Sequence, residues 1–291
     1  MLTQSARWSV PLSAFVLMGC AELDGDVGAD GVVDDAALTS DNGLPMVNGL
    51  ALSNGLPVVN GLCLSNGLAT TTGLANTNGL MTTTVGRKQV EYIVRCALPA
   101  TASITKKDQN GKSYTFQGLL GLAPAWQTGA CDTNCQENVS ACLLAHVNTS
   151  GIHVPLWIVS SHQAVGWGQD PEFPNQEGSF FGNVFMMGAH GTDPAKAPMY
   201  YCTGAKYNVN APTGRIGSAQ TNPPYINPWG TTGACNGSVS RCAPADYPFQ
   251  ADGFKQCNGW NNVVTVWRQS TPVISTSTVG SGGVGKGFRW R

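Results

Sequence analysis

The residues from Ser160 to Phe173, "SSHQAVGWGQDPEF", bring two hydroxyls, one imidazole and two carboxylates into fourteen positions. Ser160 or Ser161 would supply a nucleophile, His162 a base, and Asp170 or Glu172 a group to orient the imidazole. A second segment, "GAHGTDP", sets His190 and Asp193 in a glycine-bounded loop. His162, Asp170, His190 and Asp193 are therefore the candidate catalytic residues of an envelope hydrolase. Against that chemistry, no Gly-x-Ser-x-Gly elbow is present, and neither His-x-x-x-His nor His-Glu-x-x-His occurs. No metal and no cofactor are expected. Of the other two histidines, His146 falls on an apolar helical stripe and reads as a satisfied core residue, and His153 alternates along a strand.

Aromatic residues in loops point to different chemistry. Trp167 ("GWGQD"), Trp229 ("NPWG") and Trp260 ("CNGWNN") sit beside Gly, Asn or Pro. Flat rings with neighbouring amides and carboxylates stack on sugar rings and hydrogen-bond their hydroxyls. These three are the candidate ligand-binding residues. The competing role is filling the core of a loop-rich domain.

Ten cysteines are present. Cys20 and Cys63 lie in the first quarter of the chain. The other eight, Cys96, Cys131, Cys135, Cys142, Cys202, Cys235, Cys242 and Cys257, make an even set that implies four disulfides of undetermined pairing. The spacings in "CDTNC" and "CNGSVSRC" are not those of zinc knuckles.

The elements that must position these groups form an α+β pattern, loop-rich and disulfide-stapled. "RKQVEYIVRCALP" fits a helix through Val90, Ile93, Val94, Ala97 and Leu98 and a strand through Val90, Tyr92, Val94, Cys96 and Leu98; Glu91 four residues before Arg95 favours the helix. In "NCQENVSACLLAHVN" Asn134 is the expected cap, Glu137 closes a capping box, and Val139, Cys142, Leu143, His146 and Val147 form one stripe. "SITKKDQNGKSYTFQG" reads as a hairpin turning at Asn110-Gly111. "GIHVPLWIVS" and "NNVVTVWR" read as strands. Residues 165–260, rich in Gly, Pro and Asn, read as loops.

The N-terminal third is organised differently. Residues 1–19 have one charge, Arg7, and a nine-residue apolar run, the pattern of a secretory signal peptide and too short to span a bilayer. Residues 20–41 form an acidic tether expected to be disordered: residues 21–42 hold seven acids and no base. Residues 42–83 repeat a hexad, NGLPMV, NGLALS, NGLPVV, NGLCLS, NGLATT, TGLANT, NGLMTT. Asn-Gly favours a turn with positive φ. Three architectures remain open: a serpentine of short antiparallel strands, a parallel β-helix, or a flexible stalk. In each the repeat is a spacer or packing strip without catalytic groups. The globular domain is placed at 87–275 and a flexible tail at 276–291.

The formal charge is −1, but the acids concentrate in the tether. The globular part carries 15 basic and 10 acidic residues, with no basic run. Nucleic acid is not an expected partner.

"LMGC" (Leu17 to Cys20) resembles the bacterial lipobox, in which the cysteine is lipidated and becomes the first mature residue. By analogy with enterobacterial sorting, Ala21 after it favours the outer membrane. The lipobox, the Asn-Gly-Leu repeats and the segments "VEYIVRCALP", "GLAPAW" and "CQENVSACLLAHVN" together resemble an uncharacterised family of predicted lipoproteins in myxobacteria. The resemblance implies location and disulfides and carries no catalytic residues. The expectation is an exported protein anchored to the membrane through Cys20, periplasmic or surface-exposed. Its partners would be surface polysaccharide or another envelope protein, and its role non-catalytic.

Overall fold

A computed structural model describes residues 62–77, 79–147, 156–186, 197–204, 230–238 and 240–268. Cys20, the tether, the first three hexads, His153, His190, Asp193, Trp229 and the tail lie outside them.

The stretch that fits both a helix and a strand folds as a helix, α1, Thr84–Ala97. Thr83 caps it, its hydroxyl accepting from Gly86 N–H at 2.9 Å. Val90, Ile93, Val94, Ala97 and Leu98 are buried, and Glu91 takes ion pairs from Lys88 and Arg95 on the wet face. The hairpin follows as β1, Ser103–Lys107, and β2, Ser113–Gln117, with Gly111 at φ 80° in the turn. Asp108 closes that turn, accepting from the Asn110 and Lys112 N–H groups and the Tyr114 hydroxyl.

Helix α2 spans Thr133–Ala145. Its cap is Asp132, whose carboxylate accepts from Cys135 N–H at 2.8 Å, and not Asn134. Both types cap well, and the helix starts at the earlier one. Glu137 consequently forms no capping box; it accepts from Asn262 instead. His146 ends the helix with Nδ1 2.8 Å from the Cys142 carbonyl, as expected of a satisfied histidine.

The remaining strands are β3 (Leu156–Ser160), β4 (Asn175–Gly182), β5 (Met199–Thr203), β6 (Gly230–Ala234), β7 (Cys242–Pro244), β8 (Phe254–Cys257) and β9 (Val264–Arg268). Five of these fall in the stretch that reads as loops. A five-stranded sheet has the order β3-β9-β4-β5-β6, antiparallel except for the parallel β5–β6 pair. The β7–β8 hairpin stands apart.

The central strands are covered on both faces, which explains why β4 and β9 lack a polar alternation. Phe180 joins the large core built with α1 and α2, whereas its neighbour Phe181 faces a second cluster with Cys202, Cys235, Cys257 and Val263. Two buried polar pairs bridge the strands. Ser179 and Thr265 hydroxyls meet at 2.7 Å, and Glu177 and Arg268 form an ion pair at 3.1 Å with 0% and 3% side-chain exposure.

All eight expected cysteines are oxidised: Cys96–Cys142 joins the helices, Cys131–Cys135 closes the entry to α2, Cys202–Cys235 ties β5 to the end of β6, and Cys242–Cys257 clasps β7 to β8. Among the described residues, no helix is long and apolar enough to cross a membrane.

The packed body does not begin at Arg87. Leu62, Leu68, Leu74 and Leu80, the leucines of four successive hexads, are all buried in the large core with α1 and α2. Backbone bonds dock the repeat: Leu68 N–H to Trp126 O at 2.8 Å, Ala69 N–H to Gln127 O at 2.9 Å, Cys131 N–H to Leu64 O at 2.7 Å. Lys106 Nζ adds a bond to the Thr70 carbonyl. Equivalent positions stack, Asn66 Nδ2 donating to Thr72 Oγ1 at 2.9 Å, and Leu62 bridges Leu74. The repeat's glycines also differ from expectation. Only Gly79 has positive φ among the described hexads. Gly67 and Gly73 are required by close approach: a Cβ would lie 2.3 Å from the Thr128 carbonyl carbon and 1.8 Å from the Gly67 oxygen, respectively.

Candidate functional site: two loops held by a tryptophan pair

Trp157 on β3 and Trp267 on β9 are direct partners in the antiparallel register. Each indole reaches past the strand end and holds one loop. Trp157 Nε1 donates to Gly168 O at 2.8 Å, fixing the loop 161–174. Trp267 Nε1 donates to Asp252 O at 2.8 Å, fixing the loop 245–253. Indole N–H groups usually find an acceptor when buried, and for buried Trp267 and half-buried Trp157 that acceptor is the backbone of a loop.

The loops are also tied to each other. Gln169 Nε2 donates to Ala251 O at 3.2 Å. Trp167 packs on Gly253, where a Cβ would come within 3.2 Å of its ring. Phe173 lies 6.2 Å from Trp157, centroid to centroid. The second loop closes on itself through Ala245 N–H to Gly253 O, with inner turns at Phe249 and Asp252. It thereby turns outward two aromatic rings: Tyr247, 86% exposed, and Phe249, 40% exposed. Each loop carries an exposed carboxylate, Glu172 on the first and Asp246 on the second, Asp170 being half-buried; Lys255 pairs with Asp246.

Of the candidate catalytic residues, His162 and Asp170 serve this loop's shape, and His190 and Asp193 lie outside the described residues. Ser160 is buried and its hydroxyl accepts from His162 N–H at 3.1 Å. His162 Nδ1 accepts from Ala164 N–H at 3.2 Å, and the ring is hydrogen-bonded to the Leu122 backbone. Burial lowers the His162 pKa, and the bond to Leu122 offsets this only in part. An Nδ1 engaged in this way is not available as a base. Asp170 Oδ1 accepts from Glu172 N–H at 2.9 Å, a local turn. No hydrogen bond or ion pair joins His162 to Asp170 among the described residues, so the expected dyad is not assembled there.

The three candidate binding tryptophans divide. Trp167 is half-buried between the loops, and Trp260 is half-buried against Tyr200, 6.2 Å away, beside the second core cluster. Neither presents an open ring face comparable with that of Tyr247. The structure adds Trp157, Trp267, Tyr247 and Phe249, none of which the sequence singles out. "ADYPFQAD" does carry a signal, two large aromatics around a proline between acids, a composition that cannot form an interior strand.

The chain matches no protein-family model, no curated protein and no solved structure.

Proposed function

We propose that this chain is an exported, lipid-anchored envelope protein that binds glycan without turning it over. The observation that carries the reading is the loop pair held by Trp157 and Trp267, which turns Tyr247 and Phe249 to solvent on a fixed frame. Large exposed aromatics are costly to leave in water and are well suited to stacking on the apolar faces of sugar rings. Exposed Glu172 and Asp246, one on each loop, offer acceptors for sugar hydroxyls. The two loops, 161–174 and 245–253, hold Asp170, Glu172, Asp246 and Asp252 and no Lys or Arg, which favours a neutral polysaccharide over an anionic one. The four disulfides support an oxidising compartment outside the cytoplasm. Anchoring through Cys20 follows from the lipobox resemblance and places the domain at the outer membrane. The use of His162 and Ser160 in turn geometry supports a non-catalytic role.

The test is binding and turnover measured together. The mature chain is mixed with neutral envelope polysaccharide. Tryptophan emission should change saturably, with no new reducing ends. New reducing ends that disappear in His162→Ala would replace this reading with a hydrolase.

A further inference from the structure

On the face of the sheet opposite the helices, two disulfides touch. Cys202 Sγ lies 3.6 Å from Cys242 Sγ, the contact distance of two sulfurs, though each is bonded elsewhere. Cys235 Sγ belongs to the same group, within 4.8 Å of both. Three of the four residues are sealed in: Cys202, Cys235 and Cys257 are buried. Cys242 alone is half-exposed. The arrangement is held by the fold. Cys242 and Cys257 are register partners in the β7–β8 hairpin, and Cys202 sits in β5 opposite Ser179.

We propose that the two disulfides form one thiol–disulfide exchange unit, which takes an electron pair from an external dithiol at Cys242 and passes it to the buried Cys202–Cys235 pair. The substrate class is a cysteine dithiol of another exported protein. A disulfide is attacked by a thiolate at an accessible sulfur, and exposed disulfides are the labile ones. The substrate thiolate attacks Cys242 Sγ, and Cys257 leaves as a thiolate. The substrate's second thiolate attacks the mixed disulfide, departs as the oxidised substrate, and frees Cys242 as a thiolate. Cys242 then attacks Cys202 across the 3.6 Å contact. The Cys202–Cys242 bond forms, the Cys202–Cys235 bond breaks, and Cys235 takes a proton. Finally Cys257 attacks Cys242, restoring Cys242–Cys257, and Cys202 takes the second proton. One substrate dithiol is oxidised, one buried disulfide is reduced, and the entry disulfide is ready again. The two protons are those the substrate thiols gave up.

This places an activity on the face built from β5 to β8, independent of the glycan reading. The sequence supplies the four cysteines but not their contact, because residues 40 apart meet only where β5 and β7 come together.

The step across the contact is trapped by removing one leaving or resolving sulfur at a time. In full-length Cys257→Ser, non-reducing peptide mapping should find the Cys202–Cys242 link with a thiol on Cys235. Full-length Cys235→Ser should give the same link with a thiol on Cys257. Retention of Cys202–Cys235 in the first variant and of Cys242–Cys257 in the second would overturn the proposal. So would links from Cys242 to Cys96 or Cys142, since contact would then not choose the partner. A second measurement uses the native chain under limiting dithiothreitol, with thiols alkylated over time. Cys202 and Cys235 should be labelled early, before Cys96 and Cys142. In Cys242→Ala/Cys257→Ala that early labelling should be lost; equal labelling rates in the two chains would overturn the relay.

Discussion

At the scale of single residues, environment decides what a side-chain type is for. His162 was legible as a titratable group in a suggestive loop, but its Nδ1 accepts from Ala164 N–H and its ring bonds the Leu122 backbone. Backbone partners of this kind leave no mark in sequence. The pKa shift gives a prediction. Burial holds the His162 pKa below its ordinary 6.5, so the unfolded chain binds a proton more readily than the folded one. The stabilisation is complete above pH 6.5 and is lost as pH falls through the lower folded value. Thermal unfolding should therefore show a midpoint that drops between pH 7 and pH 5, and His162→Gln should flatten that slope. An unchanged slope would show that His162 does not titrate this way. The Glu177–Arg268 pair gives a second prediction. Glu177→Gln leaves a guanidinium buried without its counter-charge, and breaking such a pair costs about 3–5 kcal/mol. Denaturant unfolding of the variant at pH 7 measures it; a loss below about 1 kcal/mol would mean that solvent or another group takes over.

At the scale of elements, a wet face was not required for an element to be legible: β9, buried throughout, still read as a strand from its β-branched run. The α1 stretch fitted a strand as well as a helix, whereas the stripe of α2 and the Asn110-Gly111 hairpin turn were plain. Strands β4 and β5 were not, because burial on both faces removes the alternation that marks a strand. The β6 to β8 strands are short and run through Gly, Pro and Lys, which mask them in any pattern. The hexads were legible as a repeat but not as a core element. Their leucines return every six residues and face one way, while the glycines let neighbouring backbones close in. Gly67→Ala should therefore destabilise through overlap with Thr128, by about 1–3 kcal/mol or more, since the obstructing atoms are backbone. Leu68→Ala should cost about 2–5 kcal/mol through the cavity it leaves. Gly111→Ala, with open space around its Cβ, loses only the turn's positive φ and should cost less than Gly67→Ala. Chemical denaturation of the three variants ranks them; Gly67→Ala at native stability would mean the repeat is not docked as described.

At the scale of the whole molecule, the boundary between spacer and domain moves into the repeat. A chain beginning at Arg87 lacks Leu62, Leu68, Leu74, Leu80 and Met81, and should lose cooperative unfolding, whereas deletion of residues 21–41 should not affect it. The anchoring proposal is tested by Cys20→Ser, which should release the protein from membranes into the soluble fraction; a variant that stays membrane-bound after a salt wash would contradict it. The sequence pointed to aromatic binding chemistry through Trp167, Trp229 and Trp260, of which Trp167 and Trp260 are half-buried and Trp229 lies outside the described residues. The exposed rings became identifiable only once Trp157 and Trp267 were seen to hold two loops side by side. The most direct measurement is affinity electrophoresis of the mature chain in gels containing neutral envelope polysaccharide, with native protein beside Tyr247→Ala/Phe249→Ala. Both side chains are exposed, so the variant should melt as the native chain does. Retardation of the native chain that is lost in the variant is the predicted result. Equal retardation of the two, or none of either, would contradict glycan binding by this face.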